Sequence, residues 1–222
     1  MPLKTIEVET AAKPHASVII LHGLGADGND FVPIAEQLDL AAVGAVRFVF
    51  PHSPTRPVTI NGGYVMPAWY DILGPNRPED DAGLRASQAL VEALIGKEIG
   101  RGVPASRIVL AGFSQGCAMT LMTGLRQAER LAGLACLSGY LPLAALTATE
   151  RHPDHHDLPI FMAHGRSDGM IPIERALASR DALLALGYPV EWHDYAMPHS
   201  VCPQEVADLG RWLGRVLAPA PA

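Results

Sequence analysis

A serine between two glycines ends one of the apolar segments of this chain. The segment RIVLAGF (107–113) leads directly into Ser114, and the helix-compatible stretch QGCAMTLMTGL follows it. Glycines allow the strained dihedrals and close chain approach that a sharp strand-to-helix turn needs to expose a serine hydroxyl. The motif GFSQG alone is weak, because a glycine-rich turn without chemistry would have the same sequence. The pattern indicates Ser114 as a candidate nucleophile that needs partners elsewhere.

An acid and a base that could activate this serine follow it along the chain. A serine hydroxyl needs a base to take its proton, and the base needs an acid to orient it; after a turn of this kind the acid precedes the histidine. Asp168 follows the predicted strand LPIFMAH, and His199 lies in AMPHSV, between the last predicted strand and the last predicted helix. Ser114, Asp168 and His199 are therefore predicted to meet at the carboxyl edge of a sheet. The other histidines after Ser114 lie inside a strand or precede this acid: His152, His155, His156, His164 and His193.

Hydrolysis through such a serine also needs donors for the negative oxygen of its intermediate. The backbone N–H of the residue after the nucleophile, Gln115, is one expected donor. The second is expected from an early glycine-rich loop after a strand, and LHGLGADGND (21–30) fits with the N–H of Leu24. Loss of one such donor typically lowers turnover by about 10²–10³.

The same loop allows a competing interpretation as a dinucleotide site. Gly23, Gly25 and Gly28 have the spacing GxGxxG directly after a predicted strand. A dinucleotide site also needs an acid about 20 residues further on, at the end of the next strand. That strand, VRFVF (46–50), ends in PHS without an acid, and Asp27 would face the pyrophosphate. We therefore expect no cofactor.

Short apolar runs alternate with stretches of helical spacing. Continuous apolar runs are typical of parallel strands covered on both faces, and the alternation predicts an α/β fold with a mostly parallel central sheet and helices on both faces. The predicted strands are SVIILH (17–22), VRFVF, RIVLAGF, GLACLS (133–138), LPIFMAH (158–164), PVEWHDY (189–195) and the alternating N-terminus. Helices are expected after the cap Asp30, from about Asp80, over 172–186 and over 203–217. The uncharged residues 131–149 are expected to form a strand and then a loop rather than a membrane span.

One connection is too long to be only a connection. Residues 51–79 are rich in proline and glycine but contain Tyr64, Met66, Trp69 and Tyr70. Long loops in compact domains are usually functional or disordered, and the aromatic residues argue against disorder. We expect this loop to lie near the site, within a single domain spanning residues 1–222 whose last residues, 218–222, are frayed.

Composition excludes several classes of function. The formal charge of −6, without a compensating basic block, argues against nucleic acid as a partner. Three cysteines without CxxC spacing favour reduced thiols in the cytoplasm and no metal site. The segment RHPDHHD (151–157) could collect a metal, but a solvated loop is favoured because nothing fixes the geometry of its ligands. No apolar block typical of a signal peptide opens the chain.

With these residues in place, the sequence resembles the carboxylesterase and acyl-protein thioesterase branch of the α/β-hydrolases, the phospholipase/carboxylesterase family. The resemblance implies Ser114 as nucleophile, Asp168 as acid, His199 as base, and Leu24 with Gln115 as oxyanion donors. It implies a hydrolase of acyl esters or thioesters without a cofactor or a large cap domain. The matching segments are IILHGLGADGNDF, PHSPTRPVTINGG, MPAWYDI, GFSQGCAM, LSGYLP, HGRSDGMIP and MPHSVCPQE, whereas RHPDHHD matches no motif of the family.

The resemblance also carries expectations for the surroundings of the site. Trp69 and Asp71 are expected to stabilise the long loop, and Leu73, Ile171 and Val201 to line an acyl pocket. Short- to medium-chain esters or thioesters are the expected substrates. Alternatives are an acyl-protein thioesterase, which would act on acylated proteins, or a lysophospholipase on longer chains; a catalytically silent binding module is a remote alternative. The sequence leaves the oligomeric state open, and a homodimer is possible.

Overall fold

The chain folds around one mostly parallel, seven-stranded sheet with helices on both faces. The computed structural model describes residues 2–74 and 77–218. The strands are β1 (Thr5–Glu9), β2 (Ala16–Leu21), β3 (Val46–Pro51), β4 (Thr55–Val58), β5 (Tyr64–Pro67), β6 (Ile108–Phe113), β7 (Gly133–Leu137), β8 (Ile160–Gly165) and β9 (Val190–Tyr195). The helices are α1 (Val32–Ala35), α2 (Asp81–Gly100), α3 (Gln115–Gly124), α4 (Ala144–Glu150), α5 (Ile173–Ala185) and α6 (Pro203–Val216).

The strand order of the main sheet is β1-β3-β2-β6-β7-β8-β9. Only β1 runs antiparallel to its neighbour β3, and the other pairs are parallel. The carboxyl ends of β2, β6, β8 and β9 therefore share one edge of the sheet, where loops from different parts of the chain come together. The predicted α/β fold is confirmed.

The continuous apolar runs form the buried middle of this sheet. Every residue of β2, β7 and β8 is buried, as expected for parallel strands covered on both faces. Because side chains alternate along a strand, Ile19 and Leu21 pack on the face covered by α2 and α3, whereas Val18 and Ile20 pack on the face covered by α6. The sheet thus holds the loops of its carboxyl edge on a rigid support.

The ends of the long helices follow simple local chemistry. The carboxylate of Asp80 accepts a hydrogen bond of 2.9 Å from the backbone N–H of Gly83 and caps α2. Gly187, with φ of 89°, follows the end of α5. These ends agree with the sequence-based prediction.

Two predictions about helices need correction. Asp30 does not cap α1: the helix begins at Val32, and no side chain forms a capping hydrogen bond. The helix is a single turn, although Phe31 and Ala35 pack into the core as expected. Residues 144–150, predicted as a loop, form α4. This helix buries only Thr147, so its sequence lacks the apolar stripe that would have predicted it.

The long loop is more ordered than its composition suggests. Strands β4 and β5 pair as an antiparallel hairpin within it. The carboxylate of Asp71 accepts hydrogen bonds from the backbone N–H of Thr59 at 2.7 Å and from its hydroxyl at 2.5 Å. The indole N–H of the buried Trp69 donates to the carbonyl of His22 at 2.9 Å. These contacts tie the loop to itself and to the end of β2.

The histidine-rich segment is a short 3-10 turn at Pro153–His155. His155 is buried, and its ring stacks on His152 with 4.0 Å between centroids, so the expectation of a fully solvated loop is wrong for His155. Among residues 2–74 and 77–218, no group of histidine, cysteine, aspartate or glutamate side chains has an arrangement that could hold a metal ion. Over the same ranges, no helix is long and apolar enough to cross a bilayer. Of the predicted frayed tail, residues 219–222 lie outside the described residues.

Candidate active site

Ser114 occupies a strained backbone position between β6 and α3. Its φ of 55° and ψ of −116° are rarely adopted by a residue with a side chain. The flanking glycines are needed for space as well: a Cβ on Gly112 would overlap the carbonyl of Gly116, and a Cβ on Gly116 would overlap the carbonyl of Leu21. The Ser114 N–H donates to the carbonyl of Leu137 at 2.9 Å and fixes the turn to β7. The chain therefore holds this serine at the sheet edge against local backbone preference.

His199 lies between Ser114 and Asp168. Its Nε2 is 2.9 Å from the Ser114 Oγ, and its Nδ1 is 2.6 Å from the Asp168 Oδ2. Asp168 follows β8 and His199 follows β9, so the parallel sheet brings together residues that are far apart in sequence. The structure thus places the three sequence-predicted residues in one hydrogen-bonded chain.

The carboxylate of Asp168 is buried but well supplied with donors. Burial tends to raise the pKa of Asp168, but hydrogen bonds from the Ile171 N–H, from His199 and from the Met170 N–H outweigh it and hold the pKa below the usual value. Both backbone N–H groups donate to its Oδ1 at 2.8 Å. A charged Asp168 favours the tautomer of His199 that keeps a proton on Nδ1, which leaves Nε2 free to accept the serine proton.

A second histidine, His164, lies behind this carboxylate, and sequence reasoning gave it no role. Its buried Nε2 is 2.9 Å from the carbonyl of Ile171 and 3.3 Å from the Asp168 Oδ2. It therefore contacts both the acid and the segment that carries two of the donors to that acid. Its position four residues before Asp168, at the end of β8, was the signal available in the sequence.

Leu24 and Gln115, the two predicted sources of oxyanion donors, both lie at the cavity beside Ser114. Among the described residues, neither the Leu24 N–H nor the Gln115 N–H donates a hydrogen bond. Gln115 is the first residue of α3, where the helix dipole favours negative charge. Leu24, Gln115 and Ser114 all line the same cavity.

The side chain of Gln115 has a structural function that the sequence did not indicate. Its Oε1 accepts from the Trp69 N–H at 2.7 Å, and its Nε2 donates to the Tyr70 carbonyl at 2.7 Å. The residue after the candidate nucleophile therefore binds the long loop through both ends of its amide.

His22 holds the glycine-rich loop after β2 against the chain that follows β3. Its Nδ1 is 2.7 Å from the carbonyl of Gly23, and its Nε2 accepts from the Ser53 N–H at 3.0 Å, so the proton lies on Nδ1. Burial lowers the pKa of His22 and favours this neutral form. Gly23 packs close to Ser114, and Gly28 packs against the Phe50 carbonyl, so these glycines serve close chain packing.

A cavity of about 860 Å³ opens beside Ser114 and His199. Of the predicted pocket residues, Ile171 lines it, whereas Leu73 and Val201 are not among the lining residues; Ile72 takes part where Leu73 was expected, and Val201 packs toward the core on the α6 face. The residues of loop 51–79 that line the cavity are Ile60, Asn61, Met66, Tyr70, Ile72 and Gly74. The cavity size is typical of sites for small ligands.

Known proteins similar to this chain belong to one family. The family model for phospholipase/carboxylesterase matches residues 3–217. Acyl-protein thioesterase 1 of Yarrowia lipolytica is 38% identical over 219 residues, which cover 96% of each chain. Acyl-protein thioesterase 1 of Neurospora crassa is 41% identical over 90% of this chain and 86% of the relative.

Solved structures show the same architecture. The crystal structure of Arabidopsis thaliana SOBER1 is similar with a TM-score of 0.86 and 30% identity, covering 91% of this chain and 99% of that chain. Zea mays acyl-protein thioesterase 2 is similar with a TM-score of 0.84 and 28% identity, covering 96% and 99%. The chain therefore belongs to the phospholipase/carboxylesterase family of the α/β-hydrolases and is a hydrolase of ester bonds.

Proposed function

We propose that Ser114, His199 and Asp168 form the catalytic triad of this hydrolase and cleave acyl esters or thioesters through an acyl-enzyme. The observation that carries the proposal is the continuous chain of hydrogen bonds from Ser114 through His199 to a charged Asp168. The strained backbone of Ser114 supports it, because strain of this kind concentrates at functional sites. The adjoining cavity gives the serine access to a substrate.

The reaction has two steps. His199 takes the Ser114 proton through Nε2 while the hydroxyl oxygen attacks the acyl carbon, and it returns that proton to the departing alcohol or thiol. Water then attacks the acyl-enzyme while His199 accepts one of its protons, and the bond between the acyl carbon and the Ser114 oxygen breaks. His199 returns that proton to the Ser114 oxygen, and the acid leaves. Asp168 holds the imidazole in the productive tautomer and stabilises its positive charge.

The Leu24 and Gln115 N–H groups would receive the negative oxygen of each tetrahedral intermediate. Both line the cavity beside Ser114, and both are free of hydrogen bonds among the described residues. Donors that are already oriented need no reorganisation when charge develops, which is why such groups lower the barrier.

The finer identity of the substrate follows from the cavity and the relatives. Apolar side chains such as Ile72, Met170 and Ile171 line much of the cavity and suit the alkyl part of an acyl group. Relatives named acyl-protein thioesterase favour a thioester, with an acylated protein as one possible substrate. Short- to medium-chain esters and thioesters remain the proposed substrates, with lysophospholipids of longer chain as the alternative.

A serine-specific test decides the proposal. Para-nitrophenyl esters from acetate to laurate would be hydrolysed by the wild type, and Ser114→Ala is expected to lower kcat by several orders of magnitude, with unchanged circular dichroism. A fluorophosphonate probe should abolish turnover and label Ser114, as read by mass spectrometry of the digested protein. Ser106→Ala, at an exposed serine, is the matched control and should retain full activity. Retained turnover in Ser114→Ala, or labelling of another residue, would contradict the triad.

The proposal also covers location, assembly and the alternative of a binding module. The three cysteines are free, which agrees with a cytoplasmic location. Exposed apolar residues near the cavity, Ile60, Val65 and Met170, would suit a homodimer contact. The silent binding module predicts ligand-induced thermal stabilisation without turnover, and the ester assay distinguishes it from the enzyme.

A further inference from the structure

Two tyrosines form the boundary between the cavity and the core. Tyr70 and Tyr140 line the cavity, and both also belong to the buried cluster on the α2 and α3 face of the sheet. Their exposed fractions are 3% and 7%. We call this pair the floor of the cavity.

The two hydroxyls form one hydrogen bond with each other, which uses the proton of only one of them. The oxygens are 2.7 Å apart, and one hydroxyl donates to the other. Among residues 2–74 and 77–218, neither hydroxyl has an acceptor for the second proton. Burial raises the pKa of both tyrosines, so both hydroxyls keep their protons. The floor therefore has one hydrogen-bond donor in excess.

The guanidinium of Arg175 cannot accept a hydrogen bond from the spare hydroxyl, but it holds Tyr140 in position. The Arg175 guanidinium lies 3.3 Å above the centre of the Tyr140 ring, and it can only donate hydrogen bonds. It also pairs with the Glu79 carboxylate at 3.4 Å, and that carboxylate accepts from the Leu143 N–H at 2.7 Å. Tyr140 is thus held from above by an arginine that is itself anchored.

We propose that this floor discriminates between acyl groups according to whether an alkyl group or an acceptor oxygen contacts its spare hydroxyl. The inference rests on the proposed function, because it assumes that the acyl group occupies this cavity. Water can satisfy the spare hydroxyl in the free enzyme, whereas an alkyl chain that reaches the floor displaces the water and leaves the donor unpaired. An acyl group that carries an acceptor oxygen at that depth, such as an ether or hydroxyl oxygen, replaces the water. The floor thus favours alkyl groups that end above it and oxygen-bearing acyl groups that reach it.

Matched ester pairs test the floor. Para-nitrophenyl alkanoates from butanoate to decanoate are compared with ω-methoxyalkanoates of equal length, in which one oxygen replaces one methylene. An unpaired buried donor costs the alkyl ester a factor of about 5 to 160, and the methoxy ester loses a factor of about 4 because it buries one methylene fewer. The wild type is therefore expected to prefer the methoxy ester by a net factor of about 1.4 to 40 in kcat/KM once the chain reaches the floor. Below that length the two esters should react alike or the alkyl ester faster.

The variant Tyr70→Phe/Tyr140→Phe removes both hydroxyls at nearly constant volume. Deleting both partners of a hydrogen bond is close to neutral for stability, so the protein should fold. Its preference is expected to reverse toward the alkyl ester, which gains about fourfold for each additional buried methylene. Tyr64→Phe, at an exposed tyrosine of the β4–β5 hairpin, is the control and should keep the wild-type ratio.

Each outcome decides one question. Alkyl preference of the wild type at every length, or an unchanged ratio in the double variant, overturns the floor. If the double variant does not fold, the wild-type series alone decides. Thermal stabilisation of Ser114→Ala by the same ester pairs gives the preference without turnover. Turnover of acetate that survives in Ser114→Ala defeats the triad, whereas serine-dependent turnover with an unchanged ratio defeats only the floor.

Discussion

Asp168 and Glu205 are both buried carboxyl groups close to His199: Asp168 is hydrogen-bonded to it, and Glu205 follows it closely in the sequence. Their pKa values are nevertheless shifted in opposite directions. Hydrogen bonds hold the pKa of Asp168 below its usual value despite burial. Burial raises the pKa of Glu205 to about 8; the nearby Cys202 N–H lowers it only in part, and the charge of Asp208 adds to the rise. Within the described part of the chain, neither Glu205 oxygen has a partner with normal hydrogen-bond geometry.

The comparison shows that donors, rather than depth, decide whether a buried carboxyl group is charged. The Met170 and Ile171 N–H groups and His199 donate to Asp168, so its charge is retained at neutral pH. Glu205, in the first turn of α6, is completely buried and lacks such donors. His199 is therefore hydrogen-bonded to a charged carboxylate, whereas Glu205, in the helix that follows the His199 loop, is protonated at neutral pH.

The largest expected effect comes from removing the charge of Asp168. In Asp168→Asn the amide would favour the tautomer of His199 with its proton on Nε2, which cannot accept the serine proton. We expect kcat for a para-nitrophenyl ester to fall by about 10⁴ while the fold is retained. Asp181→Asn, at an exposed aspartate of α5, is the control with no expected loss. A fall of less than tenfold would show that the charge of Asp168 is not needed.

The next largest effect concerns the contribution of Glu205 to the free energy of unfolding. Its pH dependence is opposite to that of the Asp168 contribution. The folded protein keeps the Glu205 proton at pH values at which the unfolded chain has lost it, so this residue makes the free energy of unfolding decrease as pH rises from about 4.5 to about 8. Glu205→Gln is expected to remove that decrease, so its stability relative to wild type should rise by up to about 1.4 kcal/mol per pH unit in this window. Urea titrations at several pH values measure the slope.

The control for that measurement is Glu174→Gln, because Glu174 also lies in the first turn of a helix but is exposed. Its slope should equal that of the wild type. A Glu205→Gln protein with the wild-type slope would mean that Glu205 is charged in the folded state. For Asp168 the sign is reversed, since its low pKa contributes stability at higher pH that is lost as pH falls through the folded pKa.

The smallest expected effect separates burial from charge at Glu205. Asp208→Asn removes the neighbouring charge but can still accept the hydrogen bond that the Tyr195 hydroxyl donates at 2.8 Å. Because burial is the largest cause of the Glu205 shift, we expect the upper end of the pH window to move down by less than about one pH unit. A larger move in the same urea titrations would make Asp208 the dominant cause.

The sequence predicted the elements and the edge of the sheet better than the side-chain contacts. Continuous apolar runs depend on local composition, so the strands around Ser114 and Asp168 could be placed within a few residues. The order of Ser114, Asp168 and His199 predicted that they would meet, and they lie within hydrogen-bond distance, although their catalytic role stays a prediction. Asp30 failed as a cap because capping depends on local backbone geometry that a residue type does not determine.

The remaining features depend on contacts between distant parts of the chain. Gln115 bonds to Trp69 and Tyr70 across more than forty positions, and Tyr70 meets Tyr140 across seventy. No spacing rule relates such residues in a single sequence. Ile72 rather than Leu73 lines the cavity because the direction of a side chain in an irregular loop has no period. In a helix or strand, the side-chain period would have determined whether Ile72 or Leu73 faces the cavity.

The amide of Gln115 has a mechanical consequence. Its two hydrogen bonds join the backbone of Trp69 and Tyr70 to a residue that lines the cavity beside Ser114. Residues 69 and 70 cannot leave the site without breaking both bonds or pulling on the start of α3. Any displacement of this part of the cavity wall is therefore transmitted to the first turn of α3, beside Ser114.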